Sequence, residues 1–287
     1  MQAFDYFAPT SVDQAIAMLA QHKGRGVPLA GGTDLLPQLK NKLATPAALI
    51  DLKKLSSLRG ISYDASSGLR IGAMTTHSDI LANRDIAGHY PVLSQAAGTI
   101  GSVQVRNRGT VGGNLCHAVP SADMAPPLIA LGATAVIQGS AGQRELLLED
   151  FFTGPNQTVL KDDELLVALK VPPAAQRSAA IFLKHGVRKA MEIAIVCVAS
   201  CVSFQDGVCA GARITLGAVA PTPLRARQAE SLLSGKALTQ DLAAQAGTAA
   251  AQEARPITDM RGSIEYRRAI VQALTSRTLM QAAALAR

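Results

Sequence analysis

Residues 28–36 read PLAGGTDLL, and the way this run passes from strand to turn to helix decides the fold. VPLA (27–30) is a short apolar strand. Gly31 and Gly32 make a tight turn, where a residue without Cβ gives the backbone the freedom it needs. Thr33 or Asp34 caps the helix that follows. Pro37 is tolerated only in a first helical turn, so the helix starts near residue 34. Upstream, Ser11 caps VDQAIAMLAQH, a helix with Ile16, Leu19 and Ala20 on one face and Gly24 as its stop. Downstream, AALIDL (47–52) is another apolar strand. The opening segment therefore reads as a β-α-β-α-β unit.

A second glycine-rich stretch, NRGTVGGNLCHAVPSADMAPP, spans residues 107–127. Gly109, Gly112 and Gly113 predict successive turns. A helix over SADMAPPLIALG is expected next, capped by Ser121 and closed by Gly132. LRGISYDASSGLRIGAMTT before it and ATAVIQGSAGQRELLL after it read as hairpins, and helical stretches fall near 78–83 and 91–101. DDELLVALKVPP is a strand ended by Pro172 and Pro173; with AAQRS after them, the prolines mark a domain boundary. Beyond it, AAIFLKHGV, MEIAIVCVASCVSF and GARITLGAVA predict an antiparallel sheet. Ala-rich helices capped near Thr239 and Ser263 complete the chain. The expected division is 1–176, in parts of about 1–57 and 58–176, and 177–287.

The chain has 287 residues, 48% of them apolar, enough for a sizeable core without disulfides. A net charge of +7 would suit nucleic acid, but the basic residues are scattered. With no Trp and 3% aromatics, the stacking platforms of single-strand binding are missing. An anionic cofactor or an acidic partner explains the short clusters VRKAM and EYRRA equally well. Cys116, Cys197, Cys201 and Cys209 form no C-x-x-C and read as small buried thiols in a reducing compartment. Cys116 and His117 are adjacent and poorly placed to chelate one ion, so no metal is expected. The N-terminal MQAFDYFAPTS lacks the charge and apolar run of a signal peptide. The longest apolar run, 193–204, is shorter than the ~20 residues of a span. A soluble, cytoplasmic protein is expected.

Two stretches carry chemistry: 28–36 and GTVGGNLC at 109–116. Glycines at such turns allow close backbone approach, and successive free N–H groups form an anion-binding concavity. Hydroxyls of Thr33 and Thr110 can donate to phosphate oxygens; Asp34, Asn114 and Asp123 suit ribose hydroxyls or an adenine amine. Either stretch alone is equally an ordinary turn, and neither has G-x-G-x-x-G or P-loop spacing. His77, beside the N-cap Thr76, reads as a capping or surface residue. Lys184, His185, Arg188 and Lys189 flank a turn, as a solvated hairpin or a basic lip over a cofactor.

Together, PLAGGTDLLPQLK, RIGAMTTHSDI, VRNRGTVGGNLCHAVPSADMAPPLIALGA, LGAVAPTPLRARQAE and ITDMRGSIEYRR resemble the FAD-binding medium subunit of the molybdenum hydroxylases, the xanthine dehydrogenase and carbon monoxide dehydrogenase family. The resemblance runs in order along nearly the whole chain. It implies an α+β fold: a two-part FAD-binding domain of the PCMH or vanillyl-alcohol-oxidase type, then a CO dehydrogenase flavoprotein-like domain of antiparallel sheet plus helices. It implies that Pro28, Leu29, Ala30, Gly31, Gly32, Thr33, Asp34 and Leu35, together with Thr110, Val111, Gly112, Gly113 and Asn114, hold the FAD pyrophosphate and ribityl region. By the same matching Ile100 and Leu166 are apolar contacts, Asp123 approaches the cofactor, and Lys184 supplies positive charge near the flavin.

The implied activity is electron transfer, with no catalytic side chain of its own. Electrons leave a molybdopterin centre in a large partner subunit, pass two [2Fe–2S] clusters in a small one, and reach an outside acceptor through FAD. The assembly is expected to be a dimer of heterotrimers, and a partner's export signal would carry it to the periplasm instead. The chain has no C-x₄-C-x₂-C pattern, and it lacks the cysteine-rich insertion that some relatives carry after GGNLC, so no cluster is expected here. A stand-alone flavin oxidase and a non-catalytic nucleotide-binding scaffold stay open as alternatives. The substrate is not legible, because specificity lies in the molybdenum subunit.

Overall fold

The computed structural model describes residues 2–286. The chain opens with β1 (Asp5–Phe7), α1 (Val12–His22), β2 (Gly26–Leu29), α2 (Leu35–Lys40) and β3 (Ala48–Asp51). The three strands are parallel in the order β1-β3-β2. The central strand β3 is buried at all four residues, as a parallel strand covered on both faces requires. The Ser11 hydroxyl accepts the Gln14 N–H at the start of α1, whose buried face carries Ala15, Ile16 and Leu19. The helix ends through Lys23 and Gly24, both at positive φ.

The second unit holds β4 (Ile61–Asp64), β5 (Gly68–Gly72), α3 (His77–Ala82), α4 (Arg84–His89), α5 (Pro91–Gly98), α6 (Val103–Arg106), α7 (Val111–His117) and α8 (Ala125–Ala130). It continues with β6 (Thr134–Gly139), β7 (Gly142–Leu147), β8 (Phe152–Gly154), β9 (Gln157–Thr158) and β10 (Leu165–Val171). Five strands form an antiparallel sheet, β4-β5-β10-β6-β7, and the six helices are inserted between its second and third strands in sequence. Leu69, Ile71 and Leu169 from the sheet share one core with Ile80, Leu93, Val111 and Leu128 from the helices.

Local readings change here in several places. The successive turns expected at 109–116 are one helix, α7: Thr110 is its N-cap, and Gly112 and Gly113 lie in its first turn. The following helix starts after Met124 rather than at Ser121, so Pro126 and Pro127 occupy first-turn positions where no backbone N–H is needed. Two additional short helices appear: α4 is set off from α3 by Asn83, whose side chain accepts the Ile86 N–H, and α6 starts at Ser102, whose hydroxyl accepts the Val105 N–H.

The remaining elements are β11 (Ser178–His185), β12 (Val196–Gln205), β13 (Val208–Gly217), β14 (Leu224–Arg225), α9 (Arg227–Leu233), α10 (Gln240–Glu253) and α11 (Ile264–Ala286). The strands are antiparallel in the order β11-β12-β13-β14. β12 starts at Val196, not at Met191 as its apolar run suggested. α11 packs on β11 and β12 with a buried stripe that includes Val271, Leu274, Leu279 and Ala282. Two polar members of that stripe find partners: the Thr278 hydroxyl lies 2.7 Å from that of Ser200, and buried Arg267 donates through its terminal nitrogens to the Ile195 carbonyl at 2.7 Å and to Asp259 Oδ1 at 2.7 Å, whereas the buried Thr275 hydroxyl has no hydrogen-bond partner.

α10 meets α11 through small residues, Ala243, Ala246, Gly247 and Ala250. A Cβ on Gly247 would stand 2.5 Å from the Gln272 carbonyl oxygen. Gly247→Val is therefore expected to destabilise the protein by about 2 kcal/mol, through forced separation of the two helices. Urea unfolding checks this, and an unchanged midpoint would show that α10 and α11 move apart without penalty.

Candidate functional site

A cleft of about 880 Å³ opens between the parallel unit and the helices of the second unit. The β2–α2 loop lines it from one side, and α7 with the start of α3 from another. Leu165 and Leu166 of β10 and Met191, Glu192 and Ile193 of the β11–β12 loop also border it.

The two glycine stretches touch. A Cβ on Gly31 would fall 2.1 Å from the Arg108 carbonyl oxygen and 3.0 Å from the Gly109 Cα. Gly32 then turns at φ +77°. Among the described residues, the backbone N–H groups of Gly31, Gly32, Thr33, Asp34 and Leu35 have no acceptor. Five successive open amides in a segment that lines the cleft can form an anion cradle. Asp34 occupies the N-cap position of α2 without making a cap bond. Its Oδ2 instead faces His117 Nδ1 at 3.6 Å, and His117 Nε2 lies 3.3 Å from Gln38 Nε2. The hydrogen bond with His117 holds the Asp34 carboxyl below its ordinary range, and that same bond raises His117.

The opposite wall differs from expectation. The N–H groups of Val111 and Gly112 donate to the Thr75 and Ala73 carbonyls, that of Gly113 to the Thr110 hydroxyl, and that of Asn114 to the Thr110 carbonyl. The expected row of open amides is thus present at 31–35 and absent at 111–114. The glycines of α7 serve close packing instead: a Cβ on Gly112 would stand 2.7 Å from both the Cβ and the carbonyl oxygen of Ala73. Asn114 accepts the Met124 N–H through Oδ1, which leaves its amide nitrogen for the cleft.

Deeper in, Asp123 and Lys184 form a buried ion pair, Nζ to Oδ2 at 2.6 Å, and Lys184 also donates to the Thr99 carbonyl at 3.2 Å. Lys184 therefore belongs neither to a solvated hairpin nor to a basic lip over the cleft: it is buried against Asp123, which lines the cleft, while Arg188 and Lys189 are exposed. Asp123 Oδ1 is buried without a partner. Burial lifts the Asp123 carboxyl to about 6, against the pull of the Lys184 ammonium.

Of the residues singled out from sequence, Pro28, Ala30 to Leu35, Ile100, Thr110, Gly112 to Asn114, Asp123 and Leu166 line the cleft. Leu29 and Val111 are buried. His77 is not the capping or surface group that its sequence position suggests: its side chain is buried on the cleft wall, and the cap is Thr76 in a reciprocal pair with Asp79. Nothing in the local sequence distinguished it from a solvated first-turn histidine. Met191, Glu192 and Ile193 also line the cleft, from a loop whose apolar sequence suggests a strand. Among the described residues no group of three His, Cys, Asp or Glu side chains is placed to hold a metal ion, and no helix is long and apolar enough to cross a membrane.

The family described as the FAD binding domain in molybdopterin dehydrogenase matches residues 2–174, and the CO dehydrogenase flavoprotein C-terminal domain matches residues 181–282. The medium chain of carbon monoxide dehydrogenase from Hydrogenophaga pseudoflava is 36% identical over 276 residues, 96% of either chain. The xanthine dehydrogenase FAD-binding subunit of Escherichia coli O157:H7 is 32% identical over 283 residues, 98% of this chain and 96% of that one. The structure of the H. pseudoflava carbon monoxide dehydrogenase that lacks the Mo-pyranopterin moiety of its molybdenum cofactor aligns with a TM-score of 0.95 at 35% identity, over 99% of this chain and 98% of that chain. With its two-part cleft domain, its antiparallel second domain and its glycine crossing, the chain belongs to the FAD-binding medium subunits of the carbon monoxide dehydrogenase and xanthine dehydrogenase family of molybdenum hydroxylases.

Proposed function

We propose that this chain holds FAD in the cleft with the diphosphate on the amides of residues 31–35, and that it relays electrons from a partner subunit to an external acceptor. The observation that carries the placement is the row of five open amides beside the Gly31–Gly109 contact. Two further features fit FAD. Asp123 Oδ1 is a buried acceptor in need of a donor, and FAD offers hydroxyl and imide donors. Ile100 and Leu166 give the same cleft an apolar wall suited to a ring system.

The chemistry FAD supplies when bound is reversible uptake of electrons. The protein's part is to bind and orient. Gly31 to Leu35 fix the anionic end; Thr110 and Asn114 present polar atoms from the facing helix; the Lys184–Asp123 pair sets the charge at the buried end. The chain's partners would be a small subunit that holds [2Fe–2S] clusters and a large one that holds molybdopterin, the groups that would supply the electrons. Two such heterotrimers pair in the cytoplasm. The chain divides at 176 into a cofactor domain and a C-terminal domain that supports it.

Purified alone, the chain is expected to carry FAD that dithionite bleaches and an artificial acceptor restores. It is expected to oxidise no purine, N-heterocycle, aldehyde or CO until both partners are added. A colourless protein that takes up no FAD would sink the cofactor placement. Substrate oxidation by the lone chain would sink the subunit reading.

A further inference from the structure

His77 has no role in the reading above, yet the fold holds it firmly. Its backbone N–H donates to the Gly109 carbonyl at 3.1 Å, its neighbour Thr76 is locked to Asp79 at the start of α3, and Thr76 also bridges Thr110. Its side chain is 2% exposed, and Nδ1 is sealed without a partner. The Cδ2–Nε2 edge of the ring faces Gly109: a Cβ there would lie 3.3 Å from Cδ2 and 3.6 Å from Nε2. Gly109 in turn touches Gly31. The imidazole thus stands where the two glycine stretches cross, beside the open amides. Nδ1 stays sealed, so Nε2 is the ring nitrogen that a group bound in the cleft can complete.

We propose that His77 is a binding residue for the diphosphate of the cofactor: Nε2 hydrogen-bonds a phosphate oxygen lying on the 31–35 amides, and the ring takes up a proton from solvent as FAD binds. The inference rests on the placement of FAD given above. Before FAD arrives, burial and the nearby Arg106 guanidinium depress His77 to about 4, so the ring is neutral at physiological pH. Arg106, from α6, opposes protonation; Asp34, from the β2–α2 loop, favours it, and His117 of α7 shares that carboxylate. Asp79 is engaged by the Thr76 N–H. An anionic diphosphate beside the ring adds negative charge, which raises the affinity of the ring for a proton. Affinity for FAD then grows as pH falls, because the complex binds the proton that the free protein does not.

Calorimetric titration of FAD into the full-length apoprotein tests this, in buffers of different ionisation enthalpy. Between about pH 8 and about pH 6, Kd is expected to tighten about tenfold, with close to one proton taken up per FAD at the acid end. His77→Gln keeps an N–H donor but cannot titrate; it is expected to bind FAD with a flat pH profile and no proton uptake. His117→Gln is expected to retain the slope. Absence of proton uptake by the wild type would overturn the proposal, as would a slope that survives in His77→Gln or vanishes in His117→Gln alone. If His77→Gln does not fold, NMR titration of the His77 ring in wild-type apo- and holoprotein decides, and an unshifted ring counts against the proposal. Gly31→Ala separates the two levels: undiminished FAD binding there removes the diphosphate placement itself, whereas loss of binding there with a persistent slope in His77→Gln removes only the role of His77.

Discussion

A single methyl group at position 31 is expected to empty the cleft of FAD. In Gly31→Ala the new Cβ meets the Arg108 carbonyl at 2.1 Å for oxygen and 2.7 Å for carbon. Both atoms are backbone and cannot rotate away, so the two glycine stretches must part. The amides of residues 31–35 then lose their register with the facing wall. Losing two charge-assisted hydrogen bonds of about 1.5 kcal/mol each weakens binding by about a hundredfold. The rest of the chain is expected to stay folded, because Gly31 lies outside the hydrophobic clusters that hold the units together. Flavin content after purification and the circular dichroism spectrum check both halves of this expectation. The neighbour Gly32 fails for another reason: at φ +77° an added side chain is strained whatever the space, and a β-branched one most of all. Full flavin content in Gly31→Ala would mean that the diphosphate lies elsewhere.

Removing the Lys184 ammonium is expected to be as damaging to stability as Gly31→Ala is to binding. The side chains of Lys184 and Asp123 are 7% and 9% exposed, so Lys184→Met strands a buried carboxyl. Breaking such a pair from one side costs about 3–5 kcal/mol. The loss must depend on pH. Asp123 already binds its proton more tightly in the folded chain than in the unfolded one, and without Lys184 it does so more strongly. A carboxyl whose folded pKa is raised weakens the fold as pH rises from the unfolded value through the folded one. Lys184→Met is therefore expected to lose most stability near pH 7.5 and much less near about pH 5, where Asp123 is protonated. The double variant Lys184→Met/Asp123→Asn is expected to regain most of the loss at neutral pH. Urea unfolding of the three proteins at both pH values measures this. Equal losses at the two pH values, or no rescue by the second substitution, would show that the pair is not coupled as its geometry indicates.

These two sites mark the border of what was legible. The Gly31–Gly32 turn is announced by its neighbours: a short apolar strand before it, and a proline after it that fits only a helix start. The same local logic found Ser11 and Gly24 at the ends of α1, the Thr239 cap of α10 and the two hairpins. It failed at Gly112 and Gly113, which look like a turn in a short window but sit in a helix. Thr110 caps that helix from within, and the carbonyls of Ala73 and Thr75 receive its first amides from another segment. It failed again at His77, where the immediate neighbours carry no sign that the ring is buried.

Caps, turns and periodicity act over a few residues, so the sequence by itself determined the order of the elements, the parallel opening unit, the antiparallel second domain and the motifs that carry the family resemblance. Burial, pairing and open hydrogen-bonding capacity depend on what the fold brings opposite a residue. The Lys184–Asp123 pair joins positions 61 residues apart, and the Gly31–Arg108 contact joins two turns whose spacing in the chain says nothing of their distance. Only the tertiary structure decided that the amides of 31–35 stay open while those of 111–114 are consumed, that Lys184 faces a carboxylate rather than solvent, and that His77 waits unpaired beside the cradle, because each depends on a partner atom supplied by a distant part of the chain.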